Sequence, residues 1–154
     1  MIAVRGFLDS DFDAIVPAWH ETNLATYTYV RAHQEHRLDD ARRFFRDILL
    51  KECRVWIAER ASHRAGVMAT HGVWIRQLAV FPRFQRQGIG TALLAKAREL
   101  SPRQLRLYTF QRNNAARAFY EHHGFAAIAF GISPAPESEP DVEYRWEADV
   151  GAHG

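Results

Sequence analysis

The chain has 154 residues, 47% hydrophobic and 25% charged, with a formal charge of +2 from 20 basic and 18 acidic side chains. That length suits one ordinary domain with its own core, and that composition excludes a disordered or fibrous chain. A charge this close to zero excludes nucleic-acid binding driven by bulk charge, and Cys53, the only cysteine, excludes an internal disulfide, a CxxC pair and a cysteine-built zinc site. A reducing, cytoplasmic setting is therefore expected. The opening MIAVRGFLDSDFD lacks the basic segment and apolar run of a secretion signal, and no stretch approaches the ~18 to 20 apolar residues of a membrane span, so no membrane partner is expected.

In chain order, IAVRGFL reads as a strand and DSDFDAIVPAWHETN as a helix opened by Asp9 or Ser10, with Pro17 expected to bend it. A second helix is predicted from about Leu38 to Lys51, where Leu38, Ala41, Phe44 or Phe45, Ile48 and Leu49 recur at helical spacing. RVWIAER and GVMATHG are β-like runs joined by a polar link, ASHRA, which predicts a hairpin, and VWIRQLAV continues as a further strand. Ile89, Leu93, Ala97 and Leu100 then line one face of a helix that should stop at Ser101-Pro102. LRLYTF is a strand, and NNAARAFYEHHG is a helix with Asn113 or Asn114 as N-cap and Gly124 as its stop. FAAIAF and VEYRWE are the last strands, on either side of SPAPESEP, a proline-rich surface loop. This order predicts a sheet covered by helices in one domain over residues 1–154.

The loop QRQGIG lies between a strand and a helix, where free backbone N–H groups and the helix dipole favour an anion and glycines let a phosphate come close. Arg83 and Arg86 add positive charge suited to a polyphosphate, although a plain glycine turn remains the competing reading. The P-loop pattern is absent, and a dinucleotide fingerprint would need a third glycine where Leu93 stands and a position after the first strand.

The remaining pattern, Q-x-x-G-x-G between strand and helix, resembles the GCN5-related N-acetyltransferases, the GNAT superfamily. NNAARAFYEHHGF is similar to that family's second signature through Asn113, Tyr120, Gly124 and Phe125, and the strand order agrees over about residues 2–148. The resemblance implies an α/β GNAT fold, a mixed, mostly antiparallel central sheet of about seven strands flanked by about four helices. It also implies acetyl-CoA as co-substrate, no metal, and transfer of an acetyl group to a primary amine of a small-molecule or peptide acceptor. Leu78, Ala79 and Val80 would then pair with the pantetheine arm like an added strand, and Asn113 would touch the same arm. Gln85, Arg86, Gln87, Gly88, Ile89 and Gly90 would hold the pyrophosphate, and Tyr120 would be the general acid.

The positions where many relatives carry a base hold Trp74, Arg76 and Tyr108, none of which can serve. A water relay from His71, Glu59 or Glu21, or an amine that arrives neutral, stays open, as does a non-catalytic module that binds CoA or acyl-CoA. A dinucleotide-binding domain is a weaker rival. Arg76 reads either as a solvated strand arginine or as an anchor for an acidic acceptor group. His33 and His36 stand three apart, a spacing metals use, but read as a solvated segment. Tyr27 and Tyr29 belong either to the acceptor pocket or to surface packing. No nucleic-acid partner is expected, and the acceptor's identity and a homodimeric state are left open.

Overall fold

Along the strand Arg54–Arg60, Val55 and Ile57 turn to one face of the sheet and Trp56 and Ala58 to the other. All four are buried, so helices must cover both faces. The computed structural model describes residues 1–149, and the last five positions of the expected domain, 150–154, lie outside the described residues. Seven strands, β1 (Ile2–Gly6), β2 (Arg54–Arg60), β3 (His63–His71), β4 (Trp74–Val80), β5 (Gln104–Phe110), β6 (Ala126–Ile132) and β7 (Pro140–Glu147), form one sheet. Their order is β1-β2-β3-β4-β5-β7-β6. Every neighbouring pair is antiparallel except β4 and β5, so the sheet is the mixed, mostly antiparallel one that the sequence led us to expect.

On one face lie α1 (Phe12–Thr26) and α3 (Leu38–Phe44), the latter running through a π-helical turn, Phe45–Leu49, into α4 (Leu50–Glu52). Ile15, Val16 and Trp19 of α1 pack with Ala41, Phe45 and Leu49 over Val55, Ile57, Val67 and Ala69. Of the two phenylalanines, Phe45, one turn on from Ala41, is fully buried, and Phe44 is exposed and stacks on Trp19. α1 runs unbroken past Pro17. A four-residue helix, α2 (Arg31–Gln34), bridges α1 and α3.

The other face is covered by α5 (Ile89–Leu100) and α6 (Asn114–His122). Ile89, Leu93, Leu94 and Ala97 of α5 are buried against Trp56, Met68, Leu105 and Leu107, each large side chain contributing about 1.5–3 kcal/mol. The α5 stop at Ser101 and the capping of α6 follow the sequence reading, with Asn113 Oδ1 accepting from the Ala116 N–H at 3.1 Å.

Two local readings change. The β2–β3 hairpin turns on Ala61 and Ser62 alone, both with positive φ, 50° and 67°, so β3 begins inside the expected ASHRA link. Neither residue advertises a left-handed turn, which is why the sequence suggested a longer connection. At the head of α1 the buried acid is Asp11, not the expected cap Asp9 or Ser10. Its carboxylate accepts from the Leu8 N–H and Arg64 Nε, each at 2.8 Å, and from both terminal nitrogens of Arg5 at 2.8 Å. One carboxylate thus joins β1, β3 and the start of α1.

Arg5, aided by Arg64 and the Leu8 amide, holds the Asp11 carboxyl well below the usual carboxylate range. A depressed folded-state pKa stabilises the fold above the unfolded value of about 4, and that contribution fades as pH falls further. Asp11→Ala should therefore cost about 2–3 kcal/mol at neutral pH, the lower end for a broken buried pair because the arginines keep partial solvent contact. Urea unfolding is expected to find that the gap to wild type narrows below about pH 4. An unchanged midpoint at neutral pH would contradict this account of Asp11.

Candidate active site

β4 and β5 run parallel but pair at one point only, Trp74 with Arg106, fixed by the Arg106 N–H to the Val73 carbonyl at 2.9 Å. Just beyond it Arg76 is an extra residue: Ala69 of β3 pairs with Gln77 and Thr70 with Ile75. Such a bulge bends its strand. From there to Val80, β4 is paired with β3 alone, and its other edge opens into a cavity of about 1340 Å³.

At one end of this cavity stands the QRQGIG loop. Arg86 (φ 62°) and Gly88 (φ 85°) are both left-handed, a backbone alternation that gathers N–H groups into a concave cradle. Among the described residues, no protein acceptor pairs with the amides of Arg86, Gln87 or Gly88. Gly90 has a different reason to be glycine: a Cβ there would lie 3.2 Å from the Phe119 ring, where α6 crosses the start of α5. Gln85 braces the loop by donating to the Val80 carbonyl at 3.1 Å, and Gln87 is held by Arg60. Arg86 lines the cavity, whereas Arg83 lies over the Phe84 ring.

Leu78, Ala79, Val80, Gln85, Arg86, Gly88, Ile89, Gly90, Asn113 and Tyr120 all line the cavity, so the residues chosen from two separate motifs converge, with Gln87 held behind the loop. The Asn113 side-chain oxygen is taken by its capping bond, which leaves the amide nitrogen as a donor. Tyr120 is buried against Phe119, Phe125 and Tyr144. Its hydroxyl has no hydrogen-bond partner among the described residues. Burial, reinforced by the nearby Tyr27, holds its pKa well above the ordinary phenol value, so it stays protonated.

The positions that lack a base are used structurally. The Trp74 and Tyr108 rings stack at 5.4 Å, nearly parallel, the Arg106 guanidinium lies 4.8 Å over Trp74, and the Tyr108 hydroxyl donates to Glu143 at 3.2 Å. Arg106 also pairs with Glu143. Arg76 lines the cavity and is 3.8 Å from Glu52, both side chains being exposed. His71 Nδ1 donates to the Glu52 carbonyl oxygen at 2.9 Å, Glu59 pairs with Arg5, and Glu21 is exposed on α1; none of the three lines the cavity.

The far end of the cavity holds groups whose roles the sequence did not assign. Tyr27, which lines the cavity, and Tyr29, which does not, belong to one aromatic cluster with Phe110 and His33, the Tyr27 ring lying 5.3 Å from Phe110 and 4.9 Å from His33. Burial pushes the Tyr27 phenol up to about 12. His33 Nε2 lies 2.6 Å from the Glu137 carboxylate, contributed by the loop between β6 and β7. That contact spans 104 positions, so no local motif could announce it. Asp141 also lines this end, its pKa raised by burial and by Glu137.

Comparison with known proteins agrees with this geometry. Residues 51–127, half the chain, match the family model described as acetyltransferase (GNAT) domain. YjaB from Escherichia coli has a similar structure at 21% identity and TM-score 0.78, covering 95% of this chain and 97% of its own. A GCN5-related N-acetyltransferase from Rhodopseudomonas palustris aligns at 17% identity, TM-score 0.76 and 95% of each chain. PaiA N-acetyltransferase from Thermoplasma acidophilum, solved with coenzyme A, aligns at 16% identity and TM-score 0.72, over 96% of this chain and 99% of its own. No curated protein sequence matches the chain. These structures share the fold, and the family model spans the β4 edge, the amide cradle and the Asn113–Tyr120 helix: the chain belongs to the GNAT acetyltransferase family.

Proposed function

We propose that this chain, acting as one domain over residues 1–154, is an N-acetyltransferase that moves an acetyl group from acetyl-CoA to a primary amine of a small-molecule or peptide acceptor. The carrying observation is a single cavity that joins unpaired loop amides, a β4 edge that no strand pairs with beyond Trp74, and the Tyr120 hydroxyl. PaiA, of the same fold, holds coenzyme A, which supports the same ligand here. A reducing, cytoplasmic setting fits a chain whose one cysteine, Cys53, is free.

In this reading the loop from Gln85 to Gly90, through the unpaired amides of Arg86, Gln87 and Gly88, and the Arg86 guanidinium receive the pyrophosphate, where dipole and charge both favour an anion. The free edge of Leu78, Ala79 and Val80 takes the pantetheine arm as an extra strand would be taken, with the Asn113 amide nitrogen as a further donor. Acetyl-CoA supplies an activated thioester carbonyl. A β4 amide near Leu78 polarises its oxygen, and Tyr120 protonates the departing sulfur. A phenol held neutral by burial brings no charge of its own to the reacting centre.

The protein incubated with acetyl-CoA and a panel of primary amines should release free thiol. Coenzyme A binding without any turnover would favour the non-catalytic binding module instead, a reading that the Trp74, Arg76 and Tyr108 departures keep in view. Tyr120→Phe should lower kcat roughly 10²-fold or more, the usual span for a lost proton donor. It should leave coenzyme A affinity and thermal stability unchanged, because the hydroxyl it removes has no protein partner. Gly90→Val should displace Phe119 and weaken coenzyme A binding about tenfold, since overpacking costs about 1–3 kcal/mol. Calorimetry with wild-type affinity for the Gly90 variant would remove the role assigned to that close approach.

A further inference from the structure

We propose that His33, oriented by Glu137, accepts the proton that the attacking amine must lose. This rests on the reading of the chain as an N-acetyltransferase and names the proton acceptor at that site. An amine arrives mostly as its ammonium ion at neutral pH, and the sheet positions closest to the reaction hold a stacked Trp74–Tyr108 pair and an arginine. The acceptor must come from elsewhere in the cavity.

The cavity's other candidates are less suited. Glu143 is clamped by Arg106 and already accepts from Tyr108. Asp141 has no cationic partner among the described residues, but a carboxylate, even one raised by burial, matches an ammonium proton less well than an imidazole. Burial suppresses the charged form of His20, which faces Asp40 and His36. His33 differs from all three. Its Nε2 meets Glu137 Oε2 at 2.6 Å, an arrangement in which the carboxylate takes the Nε2–H and leaves the Nδ1 lone pair free. Its ring packs against Tyr27 at 4.9 Å and Phe110 at 6.0 Å, so two aromatic side chains fix its plane. Tyr27 in turn is close enough to Tyr120 to raise its pKa. Proton acceptor and proton donor therefore flank one aromatic ring.

The step balances. Nδ1 of His33 takes one proton from the ammonium, and the freed nitrogen attacks the thioester carbon. The C–N bond forms and the C–S bond breaks, Tyr120 protonates the departing sulfur, and it is reprotonated by the second hydrogen that the nitrogen sheds. The products are an amide, free coenzyme A thiol and a protonated imidazole, which returns its proton to solvent.

The test uses the full chain with acetyl-CoA and three saturating probes, an alkylamine, an arylalkylamine and a short peptide with a free N-terminus, following thiol release against pH. His33→Gln should lose about 10²-fold in kcat and the acidic limb of the kcat profile, with coenzyme A affinity by calorimetry unchanged. His33→Ala should be partly rescued by added imidazole, which a purely structural histidine would not allow. Glu137→Gln should lose less and move the acidic limb. The other groups facing His33, namely His36 on its own segment, Tyr27 at the end of α1, and Asp141 on β7 behind Glu137, remain in every variant, so differences between profiles report on the pair. A His33→Gln enzyme with kcat within twofold of wild type and the same profile overturns the assignment alone. Should the His33 variants fail to bind coenzyme A, a wild-type profile in Glu137→Gln overturns it equally. Wild-type protein that binds coenzyme A yet acetylates none of the probes overturns the transferase reading, and this inference with it.

Discussion

β4 and β5 run side by side and touch once. Two parallel strands joined through α5 would ordinarily zip along their length, and here three features stop them. The extra residue Arg76 bends β4 immediately past the bridge. The Trp74–Tyr108 stack, with Arg106 over it, pins the strands at that bridge. On the opposite face α6 crosses the start of α5 at Gly90, where only a missing side chain lets Phe119 sit. The gap leaves backbone donors and acceptors unpaired inside the molecule, an arrangement that costs free energy unless water or a ligand completes it. A strand-like substrate with a charged end is what such a gap would complete.

The two ends of the cavity have opposite electrical character. Loop amides and Arg86 make one end attractive to anions. Glu137, Asp141 and Glu143 stand with three histidines at the other. Tyr27, in the far-end cluster, and Tyr120 both have their phenol pKa raised by burial and so stay neutral. Charge that develops during acyl transfer would then form in a region where the protein places none of its own, and fixed dipoles act more strongly there than in water.

The half of this site proposed to receive the cofactor's anionic end was legible in the sequence because it is local. A glycine that must be left-handed, a glycine that must admit Phe119, and an asparagine that caps α6 all lie within two short stretches, 85–90 and 113–124. The strands were legible for the same reason, as short apolar runs between polar links: four successive residues of β2 and six of β3 are buried. What escaped depends on pairs far apart or on backbone turns without a signature. Asp11 looks like one of three acids at a helix start until Arg5 and Arg64 converge on it. Ala61 and Ser62 adopt left-handed backbone with no glycine to mark it. Phe45, and not Phe44, is the core residue of a pair that helical spacing alone left open. His33 and Glu137 come from two polar segments that read separately as solvated loop.

Those two segments are not loose, and this bears on whether chemistry can be entrusted to them. α2 is only four residues long, too short to hold a shape by itself. It is held instead from outside: Gln34 donates to the Leu24 and Tyr27 carbonyls at 3.0 and 2.8 Å, and Val30 is buried beneath it. The loop carrying Glu137 is tied through the next acid, Glu139, which is buried and gripped in two-pronged fashion by Arg112 at 2.8 and 2.7 Å. Arg112 also lies 4.6 Å over the Tyr29 ring, so the same arginine fastens this loop to the segment that bears His33. Each segment thus anchors the other, and the imidazole and its carboxylate are set before any substrate arrives, which is the condition for positioned groups to lower a barrier. The sheet can then give its own side chains, Trp74 and Tyr108, to holding the gap open, while proton handling moves to the two segments that also shape the acceptor's end of the cavity.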